Sequence, residues 1–338
     1  MLLAVAEGSL GMAQAPAVGS STRHRHRLEL RGGRRVFAKL AADGREAEEL
    51  RREAEILGLL DRRFPATARL APGCVGWSDE DDALYLEAVE GDDLGRRTRG
   101  TGLLDAATAA ALGTGLASLH EEGRVAHDEW PGDARSAPVP VHRPTPSDHR
   151  HYSAGALDVL IHLQSSKSLC AHLDRLCLPS QPETLVHGDV RLENVLAGGP
   201  SGVRLVDWEF AGAGEAAWDA ALFVASCLGA WLSSMPQIPR VPPERLLGEA
   251  AVPLAAVRPG LAAFWSAYER RSSLDPAATL RRCISLAAVR LVQLAVQEAA
   301  DTEDLRAVSV MHLQVAHNML ERPAAASIEL VGVTLPDG

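Results

Sequence analysis

The chain has 338 residues, 46% of them hydrophobic, which is enough for a sizeable core and suits two lobes. Its formal net charge of −10 argues against a nucleic-acid partner and is weakly in keeping with a cationic substrate. Five cysteines without C-x-x-C or zinc spacing read as reduced, packed thiols of a cytoplasmic protein. No membrane span is expected, because the longest apolar stretch, Trp218 to Leu232, falls short of the ~20 residues required and is interrupted by Asp219.

In chain order, Met1 to Ala15 is apolar and ends in an A-x-A look-alike, Ala13-Gln14-Ala15. It has no basic start and carries Glu7, so it reads as an ordinary N-terminal segment rather than a signal peptide. Gly19-Ser20-Ser21-Thr22 then precedes the first strand. Two readings stand for it: a hydroxyl-rich turn in which Ser20 and Ser21 lay backbone N–H groups against nucleotide phosphates, or a plain linker. Neither a kinase glycine-rich pattern nor a Walker motif is found in the sequence. His26 to Leu30 and Arg34 to Leu40 alternate polar and apolar positions about Gly32-Gly33 as a tight turn, which predicts a β-hairpin. Near its end stands Lys39. The sequence otherwise uses arginine and holds only two lysines, Lys39 and Lys167, so a flexible ammonium here suits a point charge for nucleotide phosphates, with a solvated strand-end lysine as the plain reading.

Glu46 to Leu60 has Leu50, Ile56, Leu57 and Leu60 on a charged background, an amphipathic helix. Ala83 to Val89 reads as a strand. Asp105 to Glu122 reads as a helix with Asp105 as N-cap; Gly113-Thr114-Gly115 within it lacks a preceding strand and is assigned to packing. Pro131 to Arg150 carries five prolines and predicts a long loop. It is either a substrate-facing lid that holds Arg135, His142, Arg143, His149 and Arg150 near a transferred phosphate, or a mobile surface insertion. Helical patterning resumes over Tyr152 to Leu178 and again from Pro259 to Glu321, with Ile284, Ala287, Ala288, Leu291 and Ala295 on one face.

The stretch from Leu185 to Asp219 carries the chemistry. His187, Asp189 and Asn194 spell H-x-D-x-x-x-x-N, and Asp207 closes the second of two short apolar runs, Val195 to Ala197 and Val203 to Val206, separated by a Gly/Pro/Ser turn. Folding that hairpin brings Asn194 and Asp207 together. Two oxygen ligands suit Mg²⁺, which takes its remaining ligands from phosphates and water. Asp189, just upstream, is within reach of an incoming hydroxyl, where a carboxylate orients the nucleophile and takes its proton.

These residues resemble the catalytic core of the aminoglycoside phosphotransferase and choline kinase family, relatives of protein kinases. The shared pieces are HGDVRLEN from His187, VDWE from Val206 in the place of the kinase D-F-G, and GEAAWD ending at Asp219. The resemblance implies an α+β, bilobal protein-kinase-like fold, with residues 1–88 as a strand-rich nucleotide-binding lobe and 89–338 as a mostly helical catalytic and substrate lobe. It implies ATP and Mg²⁺ as cofactors, with Asn194 and Asp207 on the metal and Asp189 as the catalytic carboxylate. It implies that Glu53 ion-pairs with Lys39, that the Glu87 carbonyl and the Val89 N–H meet the adenine edge, and that Asp219 braces the catalytic loop. Arg191 is a candidate for steadying the γ-phosphate, with a surface-exposed arginine as the plain reading; the role of Glu209 is left open. The favoured activity is phosphotransfer to a hydroxyl of a small molecule, such as an aminoglycoside or another amino-bearing metabolite. A second reading is a Ser/Thr kinase for a precursor peptide with a partner lyase, as in some lanthipeptide pathways. A third is a pseudokinase binding module, against which intact Lys39, Asp189, Asn194 and Asp207 speak.

Overall fold

The structure, a computed structural model, describes residues 12–13, 25–30, 35–125, 132–134, 136–146, 152–199, 202–236 and 243–335. The proposed turn with Ser20 and Ser21, and Arg135, His149 and Arg150 of the long loop, lie outside them.

The N-terminal part is an antiparallel sheet with one long helix. Strands β1 (Met12–Ala13), β2 (Arg25–Leu30), β3 (Arg35–Leu40), β4 (Cys74–Ser78) and β5 (Ala83–Glu87) form a five-stranded sheet in the order β1-β2-β3-β5-β4. The alternation of β3 is real: Val36 and Ala38 are buried against Ala83 and Tyr85 in a small satellite core. Between β3 and β4 runs α1 (Gly44–Arg63), capped by Asp43, whose side chain accepts from Glu46 N. Its apolar face, with Ile56, Leu57 and Leu60, enters the main core.

The chain then passes to β6 (Gly91–Asp93), α2 (Leu94–Thr101) and α3 (Ala106–Val125). The Tyr152 to Leu178 stretch is two helices, α4 (Ala154–Ser165) and α5 (Lys167–Leu176), because Ser166 caps the second through its hydroxyl and Leu169 N. Next come β7 (Thr184–Val186), β8 (Val195–Gly199), β9 (Gly202–Leu205) and β10 (Gly212–Gly214). β6, β8 and β9 make a three-stranded sheet, and β10 pairs with β7. These small sheets hold the loops that follow β7 and β9 side by side.

The remainder is helical: α6 (Ala216–Ser233), α7 (Pro243–Leu246), α8 (Leu254–Arg271), α9 (Pro276–Glu298), α10 (Ala307–Glu321) and α11 (Pro323–Ala326). By length and composition α6 alone among the described helices would cross a membrane, but 83% of it is buried inside the protein. It is the axis of the core, covered by α9, α10 and α8. The Gly113 assignment to packing holds, since a Cβ there would strike the Phe264 backbone of α8. The small sheet-bearing part and the larger helical part make the expected α+β kinase-like architecture.

Candidate active site

Register places the first charged group. β3 lies against β2 with Lys39 opposite Arg25, so both side chains leave the same face of the sheet. Lys39 is only 3% exposed. Its Nζ donates to Glu53 Oε1 and Oε2 of α1, each at 2.8 Å, and pairs with Asp207 Oδ1 at 2.7 Å. Groups this deep hold one another, since stripping either partner leaves an uncompensated buried charge that costs about 3–5 kcal/mol. Glu53 Oε1 also accepts from Trp208 N at 3.1 Å, so one carboxylate fixes both the lysine and the residue after Asp207.

Asp207 sits in the left-handed region at φ 64°, ψ 67°. For a non-glycine residue that costs of order 1–3 kcal/mol and persists only where the surroundings impose it. Here Lys39 takes one carboxylate oxygen and Arg25 Nη1 the other, at 3.1 Å. Burial by itself would raise the Asp207 carboxyl, but Lys39 and then Arg25 outweigh it and bring it down to about 2. Glu209, two residues on, stands 4.0 Å from Arg25 Nη2, and burial together with Asp207 and Glu53 raises its carboxyl.

The loop after β7 is set by Asp219 at the start of α6. Its oxygens accept from His187 N at 2.7 Å and Gly188 N at 2.8 Å, and Oδ2 lies 3.2 Å from His120 Nε2. That is the bracing the resemblance implied. Gly188 turns at φ +81°, where a Cβ would also meet the Phe210 backbone. Asp189 N donates to His187 Nδ1 at 3.1 Å, so Nδ1 is an acceptor and Nε2 carries the proton it gives to Val206 O, also at 3.1 Å. Burial lowers the pKa of this imidazole, in keeping with that neutral tautomer. One histidine thereby ties the Asp189 loop to the strand end that presents Asp207.

Asn194 closes the constellation. Its Nδ2 donates to Asp189 O at 2.9 Å and Oδ2 at 2.7 Å, while its carbonyl accepts from Val206 N at 2.9 Å at the base of the hairpin. With the amide nitrogen committed to Asp189, the amide oxygen is the atom left to face a cation. An amide oxygen and an ionised carboxylate such as that of Asp207 are the hard oxygen donors that Mg²⁺ takes. Among the described residues no group of three or more His, Cys, Asp or Glu could cage a metal alone. Arg191 Nε pairs with Asp189 Oδ2 at 3.1 Å and its side chain is half exposed. Glu87 ends β5 with its carboxylate on Arg204 and Gly73 N, and Val89 follows two residues later.

A cavity of 500 Å³ opens on the Asp189 carboxylate, with Gly188, Phe210, Trp218, Arg290 and Gln293 in its walls. A second, of 320 Å³, shares Asp189 and Arg290 and adds Arg191 and Arg99. The long loop builds one wall of the first through Ser136, Ala137, Val139 and Val141. It is tied down there: Ala134 N donates to Ala213 O at 2.8 Å and the Trp218 indole to Ser136 Oγ at 3.0 Å. His142 and Arg143 do not point toward a phosphate site; both bind Asp174 of α5. Sequence reasoning missed Arg25 and Arg290. The hairpin register held the signal for Arg25, but a two-residue turn at Gly32-Gly33 would have set Lys39 against His26, one position away from the pairing observed.

A family model described as the phosphotransferase enzyme family matches residues 13–282. Among solved structures, the chain is similar to an amicoumacin kinase, hAmiN, in complex with AMP-PNP, Ca²⁺ and Ami, at 15% identity over 91% of this chain and 88% of that one, TM-score 0.54. It is also similar to an ethanolamine kinase of Plasmodium vivax, at 14% identity over 88% of this chain and 80% of that one, TM-score 0.51. At such identities the likeness is one of fold. No curated protein matches the sequence.

Proposed function

The chain belongs to the phosphotransferase enzyme family, and from that premise we propose that it moves the γ-phosphoryl group of ATP, with Mg²⁺, to a hydroxyl of a small molecule. The observation that carries this reading is the closed set of contacts Glu53–Lys39–Asp207 on one side and Asn194–Asp189 on the other, joined through His187 and Val206. The complex of the similar hAmiN with AMP-PNP and a divalent cation supports the cofactors.

In this reading residues 1–88 serve the nucleotide and 89–338 the catalytic and acceptor side. The Glu87 carbonyl and the Val89 N–H meet the adenine edge, and Lys39, held in place by Glu53, neutralises phosphate charge. Asn194 and Asp207 hold Mg²⁺, which supplies charge neutralisation at the phosphates when bound. Asp189 accepts the hydrogen bond of the acceptor hydroxyl and takes its proton as the oxygen attacks in line. Asn194, bonded to Asp189 Oδ2, keeps that carboxylate aimed. Arg191, half exposed and paired with the same oxygen, steadies the γ-phosphate from that position.

The test is transfer from ATP to a panel of hydroxyl compounds read by mass spectrometry, with Asp189→Asn beside the wild type. The variant is expected to lose about 10²–10⁴-fold in kcat. Undiminished transfer by the variant would remove Asp189 from the role assigned.

A further inference from the structure

The acceptor side of the 500 Å³ cavity is not built for a polycation. Apart from Asp189, the charged residue in its wall among the described residues is Arg290 of α9. The Asp189 carboxylate is already paired with Arg191 at 3.1 Å, so a cationic amine entering here meets a balanced acid and a further guanidinium. Spacing on α9 concentrates this polarity: Arg290, Gln293 and Gln297 stand three and four residues apart, on one helix face, and all three line the cavity.

Gln293 adds a second, independent sign. Its residue is 4% exposed. Arg290 Nη1 donates to Gln293 Oε1 at 3.2 Å, which fixes the amide's orientation. The other arm, Nε2, is buried as well and has no hydrogen-bond partner among the described residues. A buried N–H donor without an acceptor costs about 1–3 kcal/mol, a cost that is recovered if the Gln293 amide turns a short way to meet an acceptor atom of a ligand in the cavity its residue lines. Guanidinium and amide N–H side by side are the donor set that takes an oxyanion in two hydrogen bonds. The cavity is also lined by apolar side chains, Val139 at 56% and Phe210 at 36% exposure, with Trp218 and Val296. Large apolar side chains left this open at a cavity mouth fit an apolar ligand body.

We propose that the acceptor is an anionic hydroxyl compound with an apolar body, whose oxyanion, a carboxylate or phosphate ester, is held by Arg290 and Gln293 while its hydroxyl faces Asp189. This deepens, and rests on, the phosphotransfer reading. In the step itself the acceptor oxygen forms a bond to the γ-phosphorus of ATP, the bond from that phosphorus to the β–γ bridging oxygen breaks, ADP leaves with the electron pair, and the hydroxyl proton passes to Asp189. The oxyanion takes no part in bond making; it sets which molecule is aligned.

The test uses the full chain with Mg²⁺ and ATP, and matched acceptors that share one apolar body and one hydroxyl: a hydroxy carboxylic acid, its primary amide, the amino alcohol and the phosphate monoester. Transfer is followed by phosphorus NMR and kcat/KM compared within each set. The expected result is a preference of about tenfold or more for an anionic member over the amide and the amine. Which anion leads separates carboxylate from phosphate. In Arg290→Gln the preference falls below about threefold, in Arg290→Lys part of it returns, and in Gln293→Glu it turns toward the amine. Equal use of acid and amide in the wild type, refusal of every anionic acceptor, or a preference for the amine overturns the inference; the last would point to Glu298 in the neighbouring cavity. So would an Arg290→Gln enzyme that binds Mg-ATP more weakly but keeps the wild-type acceptor preference, since Arg290 would then serve the nucleotide. A wild type that fails to bind Mg-ATP is a separate outcome, and it removes the phosphotransfer reading together with this one.

Discussion

Replacing Asp219 by alanine leaves His187 N and Gly188 N as buried donors with nothing to accept from them. At about 1–3 kcal/mol for each, the loss is about 2–6 kcal/mol, a large share of the 5–15 kcal/mol that holds a typical domain folded. A clear drop in the urea midpoint with an unchanged m-value is the expected outcome; a midpoint at the wild-type position would mean that the loop is braced by something else. At this scale the sequence was legible where chemistry and spacing coincide. Asp189, Asn194 and Asp207 stand out by their order in one short stretch, and the structure bonds Asn194 to Asp189 and closes the hairpin base next to Asp207. Glu53 was singled out through the resemblance, which implies a helix glutamate paired with the strand lysine, and both its oxygens accept from Lys39. Arg25, Arg290 and Gln293 could not be found in this way. Arg25 depends on a single-residue step in hairpin register, and the other two depend on how a distant helix is rotated against the loop after β7.

Among the elements, α3 and α8 are in the closest contact, and glycine makes it possible. A Cβ at Gly113 would strike the Phe264 backbone, whereas one at Gly100 in α2 would meet nothing within 4 Å. Alanine is the better helix former by about 1 kcal/mol at either position. Gly100→Ala is therefore expected to stabilise by about 0.4–1 kcal/mol. Gly113→Ala is expected to destabilise by about 1–3 kcal/mol, because overpacking against backbone outweighs the propensity gain. Thermal melts of the two variants check this; a Gly113→Ala melt above that of the wild type would mean that the helices part without cost. Long periodic helices such as α1, α3 and α9 were readable from their apolar spacing. β4 was not, since CVGWS has no alternation and its register shifts between Cys74 and Gly76. The break between α4 and α5 falls in the polar run Gln164 to Ser168, where the Ser166 hydroxyl caps the second helix.

For the molecule as a whole, one continuous core runs from Leu50 of α1 through α6 to Val331 beyond α10, and across it the sheet-borne Lys39 and the hairpin-borne Asp207 share a single ion pair. The kinase-like layout was legible because the strand-rich start and helical remainder follow one another in sequence. The shape of the acceptor cavity was not, since the loop after α3, the start of α6 and the C-terminal part of α9 build it jointly. The account stands on Asp207 serving the nucleotide through Mg²⁺ and Asp189 serving the hydroxyl. Calorimetric titration of Mg-ATP into wild type, Asp207→Ala and Asp189→Asn separates the two roles directly. Asp189→Asn is expected to bind within about twofold of wild type, and Asp207→Ala at least about tenfold more weakly, a difference of about 1.4 kcal/mol or more. An Asp207→Ala protein that binds Mg-ATP as tightly as the wild type would contradict it.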